Sequence, residues 1–249
     1  MLSAQRRELV LRAVQSDHAT RVTDLAEMFD VSEMTIRRDL DTLAHLGKLT
    51  RVHGGALADG QEPPFEQTAD ERFEEKQRIG AAAAAMVGDG ETILLDIGTT
   101  TLQVARHLRG RRLTVVTSNL AVYEELRDDT DVELVLLGGA VRRNYRSMVG
   151  FLAEDALRQI RADRAFLGAS GLRWDLSVMD STMMEVPIKR GMMKAATESI
   201  LLIDSAKLGV GSIARVCGAD ALDALVTDRG APPTLVAALE DAGVRVVQA

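Results

Sequence analysis

From residue 92 to the end of the chain, short apolar runs alternate with stretches of helical periodicity, and this alternation restricts the fold more than any other feature. Thr92–Asp96, Leu113–Thr117, Glu133–Leu137, Ala165–Leu167, Ser199–Asp204, Ala224–Thr227 and Arg245–Val247 read as strands. Thr101–Leu108, Leu120–Leu126, Gly150–Ile160, Glu185–Thr197 and Thr234–Asp241 read as the helices between them. Strands that are apolar on both faces and separated by helices predict an α/β domain with a largely parallel sheet. At 249 residues and 46% hydrophobic composition, the chain can bury such a core and carry a second, smaller domain.

That smaller domain reads from the first 57 residues. Leu9, Val10, Ala13 and Val14 mark one face of a first helix. Leu25, Ala26 and Phe29 mark a second, over Val22–Phe29. After a tight turn at Asp30-Val31, Ser32 is placed to N-cap a third helix, and Gly47 to end it. Ile36, Leu40 and Leu43 fall at i, i+4 and i+7 and face inward. Lys48 to Leu57 alternates like a hairpin about Gly54-Gly55. Three helices and a short hairpin predict an N-terminal winged helix-turn-helix. Residues 58–69 break all periodicity with Gly60 and Pro63-Pro64 and read as a linker, with helix resuming over Asp70–Met86. Residues 70–249 then form the second domain.

Charge divides the same way. Residues 1–57 hold eight Lys/Arg and eight Asp/Glu, so the formal net charge of −7 lies entirely in residues 58–249. Any grip on nucleic acid must therefore come from local geometry. Thr35, Arg37, Arg38 and Thr42 lie on the outer side of the third helix, where a major-groove reader presents side chains to base edges. Lys48 and Arg51 in the hairpin, with Arg6 and Arg7, are suited to phosphates. The plainer alternative is a solvated face with an Arg37–Asp41 pair.

The run from Arg6 through Val10 and Val14, then Ser32-x-x-Thr35-Ile36-Arg37-Arg38-Asp39-Leu40, closes on Arg51-Val52-His53-Gly54-Gly55-Ala56. It resembles the helix-turn-helix signature of the deoxyribose-operon repressor (DeoR) family, and the resemblance extends over nearly the whole chain. It implies a repressor that contacts double-stranded operator DNA through Ser32, Thr35, Arg37, Arg38, Thr42, Lys48, Arg51 and His53.

In the second domain, Leu94 to Leu108 is a strand, a small hydroxylated loop and a helix. It aims backbone N–H groups and the hydroxyls of Thr99, Thr100 and Thr101 at one spot, a phosphate cradle. Thr117-Ser118-Asn119, Gly138-Gly139 and Asp204-Ser205-Ala206-Lys207 follow other strands, and ligands of parallel sheets sit beyond those carboxyl ends. Singly, each has a structural reading: Asp96, Asn119 and Asp204 as caps, Gly138-Gly139 as a turn, Lys207 as a solvated cation. The resemblance implies a sensor domain similar in fold to ribose-5-phosphate isomerases, binding a phosphorylated sugar or related metabolite. Its effector loop is carried onto Asp96-x-Gly98-Thr99-Thr100, with Asn119, Gly138-Gly139 and Asp204-x-x-Lys207. The chain departs from the family at Asp175–Asp180, where a glycine and a short polar turn are usual. Met179, Met183, Met184, Met192 and Met193 around that segment suit a lid, a subunit interface or core.

No cofactor or metal is expected, because His18, His45, His53, His107 and the single Cys217 are scattered. One cysteine fits a reducing cytoplasm, and neither the opening MLSAQRRELVL nor Ala81–Val87 reads as a signal or membrane segment. A dimer or tetramer is expected. A sugar-phosphate isomerase carrying a DNA-binding head is the rival reading, with Asp96, Asp204, Glu185 and Lys207 as candidate acid–base groups. A DNA-binding module whose body only oligomerises is the third.

Overall fold

The computed structural model describes residues 3–17, 19–46, 49–52, 55–58 and 65–249. The chain forms two compact units, Met1–Glu62 and Pro63–Ala249. The first contains α1 (Ser3–Asp17), β1 (Ala19–Arg21), α2 (Val22–Phe29), α3 (Glu33–His45), β2 (Leu49–Val52) and β3 (Gly55–Ala58). Val10, Val14, Val22, Leu25, Ile36, Leu40, Leu43 and Leu49 form its core. At ~1.5–3 kcal/mol per fully buried side chain, this cluster rather than intrinsic propensity holds such short helices together. Asp30 ends α2 in the left-handed region (φ 49°), which Asp tolerates, and Ser32 caps α3 by accepting from the Thr35 N–H at 3.3 Å. The wing has one strand more than the sequence suggests: β1 pairs with β3, giving an antiparallel sheet ordered β1-β3-β2. Three residues are too few to display an alternation.

The second unit begins with α4 (Phe65–Asp70) and α5 (Phe73–Ala84), then β4 (Thr92–Leu95), α6 (Thr99–Leu108), β5 (Leu113–Thr117), α7 (Leu120–Leu126) and β6 (Val132–Leu136). Next come β7 (Ala140–Arg142), β8 (Ser147–Val149), α8 (Phe151–Gln159), β9 (Ala162–Gly168), β10 (Gly171–Leu172) and β11 (Ser177–Asp180). The chain closes with α9 (Val186–Ala195), β12 (Ala196–Leu202), β13 (Ala214–Gly218), β14 (Ala224–Thr227), α10 (Pro233–Asp241) and β15 (Arg245–Gln248). Seven strands form one parallel sheet in the order β15-β14-β12-β9-β4-β5-β6. Alternate residues feed opposite faces. Ile93, Leu95, Val115, Ile200 and Leu202 pack in one cluster with α5, α6 and α7, whereas Leu94, Val116, Leu201 and Leu225 pack in another with α8, α9 and α10. The order reverses between β4 and β9, the switch point at which such sheets open a crevice.

Two expectations are corrected. The stretch 58–69 is not linker throughout: α4 occupies its second half, and Phe65 is 2% exposed. Pro63-Pro64 masks this in the sequence, because a helix of six residues beside two breakers shows no period. The single helix expected over Asp70–Met86 is broken at Arg72, whose φ of 50° separates α4 from α5.

Two small antiparallel sheets, β7-β8 and β10-β11-β13, stand beside the main one. The divergent segment Asp175–Asp180 forms the β10–β11 turn and strand. Leu176 there takes φ 60°, the conformation a glycine would adopt without strain. Met179 and Met192 are core and Met193 packs on it, whereas Met183 and Met184 are exposed. Among the described residues, no helix is long and apolar enough to cross a membrane.

Candidate functional site

In the first unit, α3 turns Ile36, Leu40 and Leu43 inward and Thr35, Arg37, Arg38 and Thr42 outward. Arg37 donates to Glu33 at 2.9 Å. The Thr42 hydroxyl donates to the Arg38 carbonyl at 2.8 Å, and the hydroxyls of Ser32 and Thr35 bond each other at 2.9 Å. The Arg38 side chain is exposed and makes no hydrogen bond or ion pair with a described residue, so its guanidinium is ready for a guanine edge. Arg6, expected to suit phosphates, is held by an acidic partner within the unit. Its Nε donates to Asp39 at 2.6 Å, and Asp39 is buried, so the pair ties α1 to α3 from inside. Lys48 and His53 lie outside the described residues, as does the Arg51 side chain.

The second unit gathers its polar groups at the switch point. Asp96 follows β4, is fully buried, and accepts through Oδ2 from the Gly168 N–H (2.9 Å) at the end of β9 and from Lys189 Nζ. Lys189 also donates to the Gly168 carbonyl at 2.9 Å and lies 3.4 Å from Asp180. One turn earlier on the same helical face, Glu185 accepts from Arg142 and, at 2.9 Å, from Ser147. Burial raises the carboxyl of Asp96 against the opposing pull of Lys189. Burial also works against the Lys189 ammonium, but Asp96, Asp180 and Glu185 together hold it charged and raise its pKa. Glu185 is pushed up to about 7 by burial, with the neighbouring cations Lys189 and Arg142 opposing. Three buried oxygens here have no partner among the described residues: Asp96 Oδ1 and Glu185 Oε2 in this cluster, and Ser118 Oγ on the loop after the adjacent strand β5. Orphaned buried oxygens of this kind are costly unless something else completes them.

The other predicted residues divide between scaffold and rim. Thr101 donates its hydroxyl to the carbonyls of Asp96 (2.7 Å) and Gly98 (2.9 Å) and so pins the loop. Asn119 caps α7 by accepting from the Ala121 N–H at 2.9 Å, while its amide reaches Asp96 and Gly98 carbonyls at 3.4 and 3.3 Å. Both are fixed in place and hold the cradle's shape. Gly98 takes φ 146°, which lets the chain turn from β4 into α6. Thr99 and Thr100 are buried at the α6 N-terminus, with hydroxyls that bond no described residue. Gly139 packs so closely that a Cβ would meet the Val149 carbonyl at 2.5 Å, whereas Gly138 faces open space. Lys207 reaches the Ala169 carbonyl (3.3 Å), one residue from Gly168. Asp204 caps its own 3₁₀ turn through the Ala206 N–H at 3.1 Å and pairs with Arg72 Nε at 3.1 Å.

Residues 6–62 match the DeoR-like helix-turn-helix domain, and residues 71–229 match the DeoR C terminal sensor domain. The chain belongs to the DeoR family. Among its relatives, the HTH-type transcriptional regulator GolR of Listeria innocua is 33% identical over 99% of this chain and 98% of that protein. The glycerol-3-phosphate regulon repressor of Escherichia coli is 32% identical over 97% of each. A solved structure, ribose 5-phosphate isomerase A from Methanocaldococcus jannaschii, covers 55% of each chain at 18% identity with a TM-score of 0.41. This DeoR-family protein is a DNA-binding transcriptional regulator with a C-terminal sensor domain.

Lys189, Asp180, Arg142 and Ser147 of this DeoR-family site are absent from the sequence-based set, and Glu185 enters there only as a candidate catalytic group. A signal existed. Glu185, Lys189 and Met192 recur at helical spacing, so two charged residues share a stripe with buried Met192. A charge at core spacing has to find a partner, and here each does.

Proposed function

We propose that this chain is the repressor of a sugar-utilisation operon, released or engaged when a phosphorylated sugar binds at the β4–β9 switch point. The observation that carries the reading is a set of unpartnered buried oxygens, Asp96 Oδ1 and Glu185 Oε2 in the Lys189 cluster and Ser118 Oγ on the loop after the neighbouring strand β5. Two carboxylate oxygens and a hydroxyl suit the hydroxyls of a polyol. The free hydroxyls of Thr99 and Thr100 at the α6 N-terminus, with Lys207 nearby, suit its phosphate. A regulator of sugar metabolism agrees with a relative named for the glycerol-3-phosphate regulon.

The site binds without turnover: the Asp96 carboxylate is already held by Lys189 and the Gly168 N–H, which leaves it poorly disposed to act as a base. The heads work in pairs on repeated half-sites, which requires at least a dimer, in the compartment that holds the DNA. Thermal unfolding against a panel of sugar phosphates, each beside its unphosphorylated sugar, tests the ligand class. A phosphorylated compound at 100 times its dissociation constant adds ~2.7 kcal/mol. In a unit of this size that raises Tm by roughly 5–10 °C. Asp96→Asn abolishes the shift. A panel without any shift would remove the sugar-phosphate reading, and interconversion of ribose 5-phosphate by the purified protein would restore the isomerase.

A further inference from the structure

The hairpin formed by β7 and β8 touches the candidate site on one side and the start of the second unit on the other. On the site side, Arg142 and Ser147 both donate to Glu185. The Met148 N–H donates to the Ser118 carbonyl at 2.9 Å, and the Leu120 N–H to the Arg146 carbonyl at 2.8 Å. On the far side, the Asn144 carbonyl accepts from the Phe65 N–H at 3.0 Å. The Tyr145 ring meets the Phe65 ring edge-on, with centroids 5.8 Å apart at 78°. The Arg146 guanidinium lies 5.7 Å from the Phe65 centroid and 3.6 Å from the carboxylate of Glu66.

One side chain joins the two sides. Arg142 grips Glu185, and the same guanidinium stands 5.9 Å from the Tyr145 centroid. From the carboxylate of the site to Phe65 there are therefore only two intervening side chains, Arg142 and Tyr145. Phe65 opens α4, the first described element after the DNA-binding head. The hairpin also carries backbone tension of its own, because Arg146 holds a φ of 52°.

We propose that the hairpin Ala140–Val149 couples the state of the Glu185 site to helix α4, with Arg142 as the positioning residue. This rests on the reading of the Glu185 cluster as the effector site. A ligand that takes up Glu185 Oε2 competes for the carboxylate that fixes Arg142. The guanidinium then loses its register over Tyr145, and the edge-on Tyr145–Phe65 contact repacks. Arg142 thus links the site carboxylate, which has one unpartnered oxygen, to the ring face of Tyr145. A lysine in its place would keep the charge toward Glu185 but lose the planar face toward Tyr145.

Hydrogen exchange of the full chain without ligand tests this. Glu185→Gln and Arg142→Gln are expected to speed exchange of the Phe65–Asp70 amides at least tenfold, while amides of the distant strand Ala224–Thr227 keep their wild-type rates. Arg142→Lys is expected to leave α4 as loose as Arg142→Gln does, and Tyr145→Leu to loosen α4 with Glu185 intact. Unchanged α4 rates in Glu185→Gln and Arg142→Gln would overturn the proposal. So would acceleration spread equally to Ala224–Thr227, which would mean general destabilisation. Because no ligand is used, a sugar-phosphate panel without hits beside a responsive α4 removes the ligand class and leaves the coupling standing. Hits on the panel beside an unresponsive α4 do the reverse.

Discussion

Lys189→Met is the substitution that most directly probes how the switch-point cluster is built. The Lys189 side chain is 3% exposed, and its ammonium serves Asp96, the Gly168 carbonyl (2.9 Å) and Asp180 (3.4 Å) at once. Methionine fills nearly the same volume, so the loss is electrostatic rather than a cavity. Removing it leaves two buried carboxylates facing each other without a cation, and breaking a buried pair from one side costs about 3–5 kcal/mol. A unit of this size loses roughly 2–4 °C of Tm per kcal/mol, so the fall is ~6–20 °C. Urea unfolding followed by circular dichroism, with the second unit's transition fitted separately, gives the free energy. The companion Asp96→Asn removes one of the stranded charges, so the double variant Lys189→Met/Asp96→Asn recovers part of the loss. The coupling term of the cycle is then in the ~0.5–3 kcal/mol range of contacting pairs. A loss below ~1 kcal/mol in Lys189→Met, or additivity of the two substitutions within ~0.5 kcal/mol, would refute the cluster as a cooperative unit.

Glu185 gives the cluster a pH dependence. Its folded pKa of about 7 lies above the ordinary 4.5, so the folded state holds a proton that the unfolded state releases. Between those values its contribution to stability falls as pH rises, by up to ~3 kcal/mol at 1.36 kcal/mol per pKa unit. The difference in stability between wild type and Glu185→Gln therefore changes across pH 4.5–7 and is flat on either side; a constant difference across that window would show that Glu185 is not held protonated by burial. On DNA, Arg38→Ala is expected to relax base preference by ~1–3 kcal/mol at one position, measured by competition between duplexes that differ there. Arg37→Ala changes that discrimination less, because Arg37 is bonded to Glu33; the reverse order would exchange their roles.

The architecture was legible because apolar strand runs alternating with amphipathic helices announce themselves by period. The main-sheet strands, helices α6 to α10 and the cap at Ser32 all fall within a few residues of where the apolar spacing and N-cap chemistry set them. What escaped has a common cause. Strands β1, β7, β8, β10, β11 and β13 are two to five residues long and take their meaning from a partner strand rather than from their own pattern. The site follows the same rule. Asp96 with the threonines, and Ser118, sit on two strand–loop–helix units that the sequence displays locally. Lys189 reaches Asp96 across 93 residues, and Arg142 reaches Glu185 across 43. Arg6 shows the converse: its position beside the helix-turn-helix suggests a phosphate contact, but a buried Asp39 33 residues away holds it instead.

Regulation requires that binding in the second unit change the grip of the first on DNA. Fluorescence anisotropy on a duplex selected by the protein from a random pool measures it, titrated with and without the sugar phosphate that raises Tm. The expected result is a roughly 5–150-fold change in affinity, ~1–3 kcal/mol of coupling, and the same factor in sugar-phosphate affinity when the duplex is saturating. An operator affinity that stays constant while the sugar phosphate is bound would contradict it.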